Sequence, residues 1–410
     1  MITKNDILVS HAGKQHSYKL AISLQNMGRL SRFATSSYYD PSRFPDTFFS
    51  RFTKLDKILK KRHEPGLSDK VRRFPFFEVP EIILRTLLGN KKISSDATCL
   101  RDMLFDRFVS KTQIYNSGIF WGFQGSCLES LKAAKRKGII AIAEFATAHV
   151  TAAIRILEEE RKRNPEWADS INNLCFPNWY LKRLKEEPFL ADFCVAASEF
   201  SKKTLEDANV ESKKILLLPL GASLEKFKFK KRKIKSNFQV LFVGSVGQRK
   251  GMKYLLEAIK MLRSNKVVTK IVGPIVGSGK AFRSYSNYYE YLGCLTQEEV
   301  LKVMHESDCL VLPSLLEGFG LVIPEAMASG MPVIATTHTA APEIIREGRD
   351  GFILEPCDAR GLAGKLDWLA THKEKSIEMG QDAREGSEKF SWKKHQERLK
   401  QILQVIEDER

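Results

Sequence analysis

The sequence predicts an α/β protein made of two tandem, doubly wound, Rossmann-like domains. Strand-like and helix-like segments alternate along both halves of the chain, as expected for parallel sheets with helices on both faces. The chain has 410 residues, about twice the length of one ordinary domain. Ligands of such sheets bind beyond the carboxyl ends of the strands, so two facing sheets predict a ligand cleft between the domains.

The first domain is assigned to residues 1–220. Its opening strand, residues 6–10, leads through a loop into a helix with Leu20, Leu24 and Met27 on one face. The alternation continues with predicted strands at 32–36, 112–117, 139–145, 193–197 and 215–219, and with predicted helices at 125–137, at 149–163 and from residue 198.

An insertion at about residues 40–110 interrupts this alternation. It is basic and aromatic, and a helix is predicted to begin at Pro80, because proline suits the first helical position. We interpret the insertion as a basic helical element added to the first domain.

The second domain, residues 221–390, alternates more regularly. Seven basic residues between Lys226 and Lys235 lie at its start, and this run is interpreted as a solvated linker. Residues 358–410 are predicted to be helical, with 391–410 as a separate C-terminal helix. The strands of this domain are predicted at 239–244, 267–273, 288–293, 308–313, 332–335 and 351–354.

The formal net charge is +17, from 66 basic and 49 acidic residues. A protein this basic attracts anions, which include phosphorylated ligands, nucleic acid and anionic membrane surfaces. Composition alone does not choose among them.

The seven cysteines are scattered and form no Cys-x-x-Cys pair, so we expect reduced, mostly buried thiols and no zinc site. No apolar run reaches the roughly 18–20 residues of a membrane span, and the first residues lack the apolar core of a signal peptide. We therefore expect a cytoplasmic protein, with peripheral contact at a membrane left open.

The most informative segment is residues 308–336. A predicted strand ends near Pro313, and the next loop contains Glu317, Gly318 and Gly320 before a helix begins. Glycines allow close backbone approach to a ligand, and the amides at a helix start suit a diphosphate. Glu325 follows eight residues after Glu317, and two carboxylates can accept hydrogen bonds from sugar hydroxyls. Without the flanking context, the simpler interpretation would be that Glu325 caps a helix or forms an ion pair on it.

This segment resembles the Glu-x7-Glu signature of the family 4 retaining glycosyltransferases, which have the two-domain GT-B fold. The resemblance implies that Glu317 contacts the donor sugar and that Glu325 holds the ribose hydroxyls. It also implies that the diphosphate meets the amides of Phe319, Gly320 and Leu321. Gly318 is included among the donor-binding residues.

A second segment, residues 242–262, resembles the family's strand, loop and helix with a Lys-Gly at the helix start, and Gly244 is included among the donor-binding residues. Lys250 and Arg249 would then neutralise the β-phosphate as it leaves. Many members of the family carry arginine where this chain has Ser245, so Arg249 is expected to replace it. The alternative is a basic helix start on the surface.

Residues 271–299 resemble the segments that line the nucleobase in this family, and Gly273 and Leu295 are assigned there. Residues 391–410 resemble the family's last helix, which implies that this helix crosses back onto the first domain. In the first domain the resemblance assigns Gly13 to the turn that approaches the donor phosphates. It also assigns His149 to the transferred sugar or the acceptor hydroxyl, with Glu144 as a weaker candidate. His16 is interpreted as structural or surface-exposed.

The resemblance implies transfer of a sugar from a nucleotide diphosphate sugar to a hydroxyl of a glycan or a lipid-linked acceptor, with retention of configuration. No Asp-x-Asp pair occurs in the sequence. Because glycosyltransferases of the other major fold hold a metal with that pair, we expect no metal and no cofactor here. The basic insertion would shape the acceptor pocket and suit an anionic lipid-linked acceptor.

Two alternatives stay open from the sequence. One is a glycosyl phosphorylase or a sugar-phosphate-processing enzyme on the same scaffold. The other is a catalytically silent protein that binds a nucleotide sugar or nucleic acid, although no nucleic-acid module is recognisable. Polysaccharide or lipopolysaccharide synthesis is the context that we expect for the enzyme.

Overall fold

The computed structural model describes residues 6–13, 16–36, 38–40, 62–64, 66–67, 69–78, 80–81, 91–171, 176–262 and 266–409. The chain divides into two compact units that interleave along the sequence. The first contains Met1–Phe145, Cys175–Val195 and Val210–Leu216, and the second contains Ala146–Leu174, Ala196–Asn209 and Leu217–Arg410. The single boundary near residue 220 stays a prediction.

The first sheet has seven strands in the order β3-β2-β1-β4-β5-β6-β7. Strands β1, β2, β3, β4 and β5 pair in parallel, and the order reverses between β1 and β4, as in a doubly wound sheet. The strands are β1 Ile7–His11, β2 Leu30–Thr35, β3 Val71–Arg73, β4 Ile119–Phe123, β5 Ile140–Phe145, β6 Phe193–Ala196 and β7 Ile215–Leu217.

Six helices lie along the same part of the chain among the residues described. Ser198 accepts a hydrogen bond from the Ser201 amide and so caps the sixth, as expected for serine at a helix start. The helices are α1 Ser17–Asn26, α2 Lys91–Thr112, α3 Leu128–Arg136, α4 Val150–Arg163, α5 Asn178–Leu190 and α6 Glu199–Glu206.

The strand predicted at 112–117 is wrong. Thr112 is the last residue of α2, and Asn116 has a left-handed backbone with φ +49° in the turn that follows. The strand is β4 instead, whose five residues are all buried. An unbroken apolar run decided the strand position, because only such a run can lie in the middle of a sheet that is covered on both faces.

The second sheet has six strands in the order β10-β9-β8-β11-β12-β13, all in parallel pairs. Its central strands are buried, with Leu241 and Leu310 fully inaccessible. The strands are β8 Phe238–Val243, β9 Val267–Val272, β10 Glu290–Gly293, β11 Cys309–Leu312, β12 Val333–Thr336 and β13 Gly351–Leu354. The fold class predicted from the sequence, with two doubly wound Rossmann-like sheets, is confirmed.

Helices also accompany the second sheet, including one at Lys280–Arg283 that was not predicted. Thr296 and Glu299 form a capping box at the start of one of them. They are α7 Met252–Met261, α8 Lys280–Arg283, α9 Gln297–Glu306, α10 Val322–Ala328, α11 Ala341–Ile344, α12 Ala359–Thr371, α13 Lys373–Ser387 and α14 Trp392–Asp408. Whether α14 contacts the first domain stays a prediction.

The basic run between Lys226 and Lys235 is not simply a solvated linker. Its lysines are mostly exposed, but Arg232 is buried and donates to the carbonyls of Met304 and Ser307, both at 2.9 Å. Phe227 is also buried. The prediction of solvation fails because one cation in the run satisfies helix-end carbonyls inside the second unit.

Most of the helix predicted from Pro80 falls on residues 82–90, outside the described residues, as does Cys175. The other six cysteines are free thiols, and Cys294 is exposed whereas Cys99, Cys194 and Cys309 are buried as expected. Among the described residues, no helix is both long and apolar enough to cross a membrane.

Candidate functional site

Lys250 and Glu317 form an ion pair in the second unit. Lys250 ends a short 3-10 turn, Gln248–Lys250, which follows strand β8, and Glu317 lies in the loop between β11 and α10. Their side chains are only 16% and 18% exposed. The structure thus brings together the two residues that the sequence assigned to phosphate and sugar.

Arg249 joins the 3-10 turn by hydrogen bonds to the loop that contains Glu317. Its Nε donates to the Leu316 carbonyl at 3.1 Å, and its own carbonyl accepts from the Leu315 amide at 3.0 Å. The Glu317 amide donates to the His338 carbonyl at 3.1 Å. Lys250 and Glu317 are therefore held on backbone that is tied down at several points.

Gly318 is required by packing. A Cβ atom at this position would lie 1.6 Å from the carbonyl oxygen of Ala146. The Gly318 carbonyl in turn accepts from the hydroxyl of Ser198 at 2.6 Å. The close backbone approach predicted here is thus made to another part of the second unit.

The start of helix α10 follows directly. Gly320 has a left-handed backbone with φ +86°, and its carbonyl accepts from the Ile323 amide at 2.8 Å. The amides of Phe319, Gly320 and Leu321 donate no hydrogen bond to any described residue. Phe319 is buried whereas Leu321 is 37% exposed, so this end of the loop reaches the surface of the unit.

Glu325 lies in the first turn of α10 and is partly buried. Burial raises the pKa of this carboxyl from 4.5 to about 7, opposed by the nearby charge of Lys226. The group is therefore poised between its acid and carboxylate forms at neutral pH.

His149 caps helix α4 and is buried. Its amide donates to the Thr204 hydroxyl at 2.9 Å, and its Nδ1 accepts from the Thr151 amide at 3.4 Å, so the proton of the neutral ring lies on Nε2. The neighbouring Ala148 packs in one apolar cluster with Leu316. His149 thus belongs to a segment that touches the loop before Glu317.

Gly244 and Gly273 lie at the carboxyl ends of β8 and β9. The Gly244 amide donates to the Val272 carbonyl at 2.9 Å, and the Gly273 amide donates to Gly293 at 2.8 Å. Leu295 packs partly against the core of the second unit before α9. These three residues thus line the end of the sheet where doubly wound folds bind ligands.

Gly13 belongs to the first unit, where its carbonyl lies 2.6 Å from Nδ1 of His11. Burial lowers the pKa of His11 to about 4. Lys14, the next residue of the predicted turn, lies outside the described residues.

Glu144 and His16 form a pair that the sequence analysis did not recognise. Their Oε1 and Nε2 atoms are 2.5 Å apart, and the indole of Trp121 donates to Glu144 at 2.8 Å. His16 is thus only 11% exposed and not a surface residue. The available signal was that His16 follows the end of β1 and that Glu144 is the penultimate residue of β5, on either side of the switch point of the first sheet.

No three His, Cys, Asp or Glu side chains in the part of the chain that the structure describes lie close enough to hold a metal ion.

The match to a known family model falls in the second half of the chain. Residues 224–386 match the family model described as "Glycosyl transferases group 1". An uncharacterised glycosyltransferase of Methanocaldococcus jannaschii is 32% identical over 176 residues, 41% of this chain and 48% of that protein. The capsular polysaccharide biosynthesis glycosyltransferase CapM of Staphylococcus aureus is 29% identical over 226 residues, 50% of this chain and 59% of that protein. The chain thus spans about half the length of these curated relatives.

Solved structures share the architecture over nearly the whole chain. The Anabaena protein HepE, crystallised with UDP and glucose, superposes with a TM-score of 0.65 at 17% identity, covering 98% of this chain and 99% of that one. Sucrose-phosphate synthase of Thermosynechococcus elongatus gives 0.66 at 16% identity, covering 99% and 100%. These neighbours confirm the fold, and the sequence matches support a glycosyltransferase family for the second half of the chain.

Proposed function

We propose that this chain, whose second half matches a glycosyltransferase family, transfers a sugar from a nucleotide diphosphate sugar to a hydroxyl of a glycan or a lipid-linked acceptor. The observation that carries the proposal is the Lys250–Glu317 pair, which lies inside the matched region 224–386. The relatives support it, since CapM is named for capsular polysaccharide biosynthesis and HepE was crystallised with UDP. The free amides at the start of α10 suit a diphosphate.

In this proposal Lys250 stabilises the charge that grows on the β-phosphate as the sugar leaves, with Arg249 beside it. A preorganised cation of this kind acts most strongly when water is excluded, and Lys250 is largely buried. Glu317 orients Lys250 and accepts hydrogen bonds from the donor sugar. Glu325 accepts hydrogen bonds from the ribose, and Nε2 of His149 meets the transferred sugar or the acceptor hydroxyl.

A thermal-shift panel with UDP, GDP, ADP and their sugars tests the donor class. One nucleoside diphosphate is expected to raise the melting temperature well above the other two, because a ligand stabilises the folded state that binds it. Stabilisation by sugar phosphates alone would instead favour a phosphorylase. No response to any nucleotide would overturn the proposal.

Retention of configuration and independence from metal belong to the same proposal. The leaving phosphate itself would help to deprotonate the acceptor, and the charge stabilisation comes from Lys250, Arg249 and helix amides. The product should keep the anomeric configuration of the donor by NMR, and activity should persist in excess EDTA. An inverted product, or a loss of activity that a divalent metal restores, would contradict these two points.

The net charge of +17 and the exposed lysines of the run from Lys226 to Lys235 support an anionic acceptor or membrane surface. We therefore propose a cytoplasmic enzyme that works peripherally at the inner face of the membrane, in polysaccharide or lipopolysaccharide synthesis. Sedimentation with anionic vesicles, compared with neutral vesicles, tests the membrane contact.

A further inference from the structure

A buried carboxylate, Glu160, lies near the end of helix α4 and is only 2% exposed. Its Oε1 accepts from the side-chain amides of Asn164 at 2.6 Å and Gln248 at 2.5 Å. The Tyr254 hydroxyl lies 3.0 Å from Oε1 and 2.8 Å from Oε2. Neutral donors therefore surround this carboxylate, and the Arg163 guanidinium stands farther off, at 3.9 Å.

Gln248 is completely buried and begins the 3-10 turn that ends at Lys250. Its side-chain oxygen accepts from the backbone amide of Lys253 at 3.0 Å, and its backbone amide donates to the Ser170 hydroxyl at 3.0 Å. With the bond to Glu160, both ends of the Gln248 side chain are fixed. A burial this complete with every polar group satisfied defines one conformation for the turn.

The turn is thus held from two sides. Glu160 and Ser170 hold Gln248, and the loop at 315–317 holds Arg249 and Lys250. Glu160 lies eleven residues after His149, at the opposite end of the same helix, about 16 Å away along its axis. One carboxylate therefore ties the helix that begins at His149 to the turn that ends at Lys250.

We propose that Glu160 and Gln248 are positioning residues for the diphosphate cation Lys250. They touch no substrate, and their effect passes through the backbone of residues 248–250. This inference rests on the proposed function, because it assigns Lys250 to the β-phosphate. It adds that a buried hydrogen bond to α4 fixes the position of the turn, and so the position of the Lys250 ammonium group.

Gln248→Leu removes that hydrogen bond at nearly constant volume. The matched control is Tyr254→Phe, which also takes a donor from Glu160 but lies outside the turn. Binding of UDP, GDP and ADP, each beside its monophosphate, is measured by calorimetry on the full chain. In Gln248→Leu the affinity for the preferred diphosphate should fall by about tenfold, the scale of one misplaced charge-assisted hydrogen bond, while the monophosphate affinity stays unchanged. In Tyr254→Phe both affinities should match those of the wild type.

A double exchange provides a second test in case Gln248→Leu does not fold. Gln248→Glu sets a second carboxylate against Glu160 and should lose the diphosphate preference, whereas Glu160→Gln alone keeps an amide oxygen that can accept from Gln248. Adding Glu160→Gln to Gln248→Glu reverses donor and acceptor across the same contact and should restore the preference. A folded Gln248→Leu protein with a wild-type preference for diphosphate would overturn the inference, as would a double exchange that stays as weak as Gln248→Glu alone. A wild-type protein that binds none of the diphosphates would overturn the proposed function and this inference together.

Discussion

Lys250 and Glu317 neutralise each other before any ligand is bound, so a diphosphate has to share the lysine with the carboxylate. Lys250→Met should lower kcat/KM about 100-fold to 1,000-fold, because it removes a preorganised charge at the leaving group. The measurement is the initial rate of donor turnover with the nucleotide sugar found in the thermal-shift panel.

Lys253 is the matched control for this prediction. It lies three residues later, is 17% exposed like Lys250, and pairs with Glu166 at 2.7 Å instead of with the loop. Lys253→Met should keep kcat/KM within a few-fold of the wild type. Equal losses in the two variants would show that general positive charge is responsible, and that Lys250 has no special place.

The raised pKa of Glu325 predicts that nucleotide affinity depends on pH. Its folded pKa is raised to about 7, so the carboxylate that accepts hydroxyl hydrogen bonds is scarce at pH 6 and dominant at pH 8. If only the ionised form binds ribose, nucleotide affinity should rise about tenfold across this interval. Glu325→Gln should lack that component, while the titration of the phosphate remains in both proteins. Parallel pH profiles for the two proteins, by calorimetry, would contradict the role of Glu325.

The proximity of Glu317 and Lys250 was predictable because each lies in a recognisable motif, while their roles toward a donor stay predictions. The hydrogen bond between Glu160 and Gln248 joins residues 88 positions apart, and nothing in the local sequence of either one signals it. Arg232 was misread for the same reason, since a basic run looks solvated until tertiary packing buries one member. Side-chain partners across long separations depend on how whole elements pack, which single-residue patterns do not encode.

At the scale of elements, the loop before α10 depends on a contact with the segment that leads into α4. In Gly318→Ala the added methyl would meet the Ala146 carbonyl at 1.6 Å, so the loop or the segment has to move. We expect the unfolding free energy to fall by about 2 kcal/mol or more, as is typical of overpacking. We also expect the variant to lose most of its activity. Urea denaturation and turnover assays measure the two effects.

Gly364 offers the opposite case within helix α12. A Cβ there would meet no described atom within 4 Å apart from its chain neighbours and the backbone of its own helix, so Gly364→Ala should stabilise the protein by about 0.5–1 kcal/mol through helix propensity. A harmless Gly318→Ala would show that the contact with Ala146 does not constrain the loop.

Arg232 joins the ends of two helices. Its guanidinium donates to Met304 and Ser307 at the end of α9, and to Ser329 and Gly330 after α10. These are carbonyls that a helix end leaves unsatisfied, and a cation there also favours the helix dipole. Arg232→Met should cost about 2–4 kcal/mol in unfolding free energy, because several buried acceptors lose their donor.

The neighbouring Lys233 is exposed, so Lys233→Met should change the unfolding free energy by less than about 0.5 kcal/mol. Urea denaturation of both variants is the measurement. A similar small effect in the two proteins would mean that water replaces the guanidinium at the helix ends.

Most elements of both sheets were predictable because their signals are local. Buried apolar runs mark β8 and β11, and Ser198 and Thr296 mark two helix starts. The strand β4 was misplaced because the segment before it mixes polar and apolar residues in a way that also suits a strand. The interleaving of the compact units could not be read from the sequence, since it depends on contacts and not on element type.

At the scale of the whole molecule, two buried titratable groups of the first unit change the unfolding free energy with pH in opposite directions. The folded pKa of His11 is lowered from 6.5 to about 4, so the unfolded chain binds its proton first and stability falls as pH drops from 6.5 to 4. The folded pKa of Glu187 is raised from 4.5 to about 7, so the folded chain holds its proton longer and stability falls as pH rises from 4.5 to 7. Between pH 4.5 and 6.5 the two contributions oppose each other.

Glu187→Gln should therefore make the unfolding free energy rise more steeply with pH over this interval, by up to about 1.4 kcal/mol per pH unit. The amide oxygen of glutamine can still accept from the Gly125 amide, at 2.6 Å in the wild type, so the hydrogen bond survives while the titration is removed. The adjacent Glu186 is 38% exposed, and Glu186→Gln should leave the slope unchanged. Urea denaturation at a series of pH values gives the slopes, and identical slopes in the wild type and Glu187→Gln would show that Glu187 is ionised in the folded protein throughout.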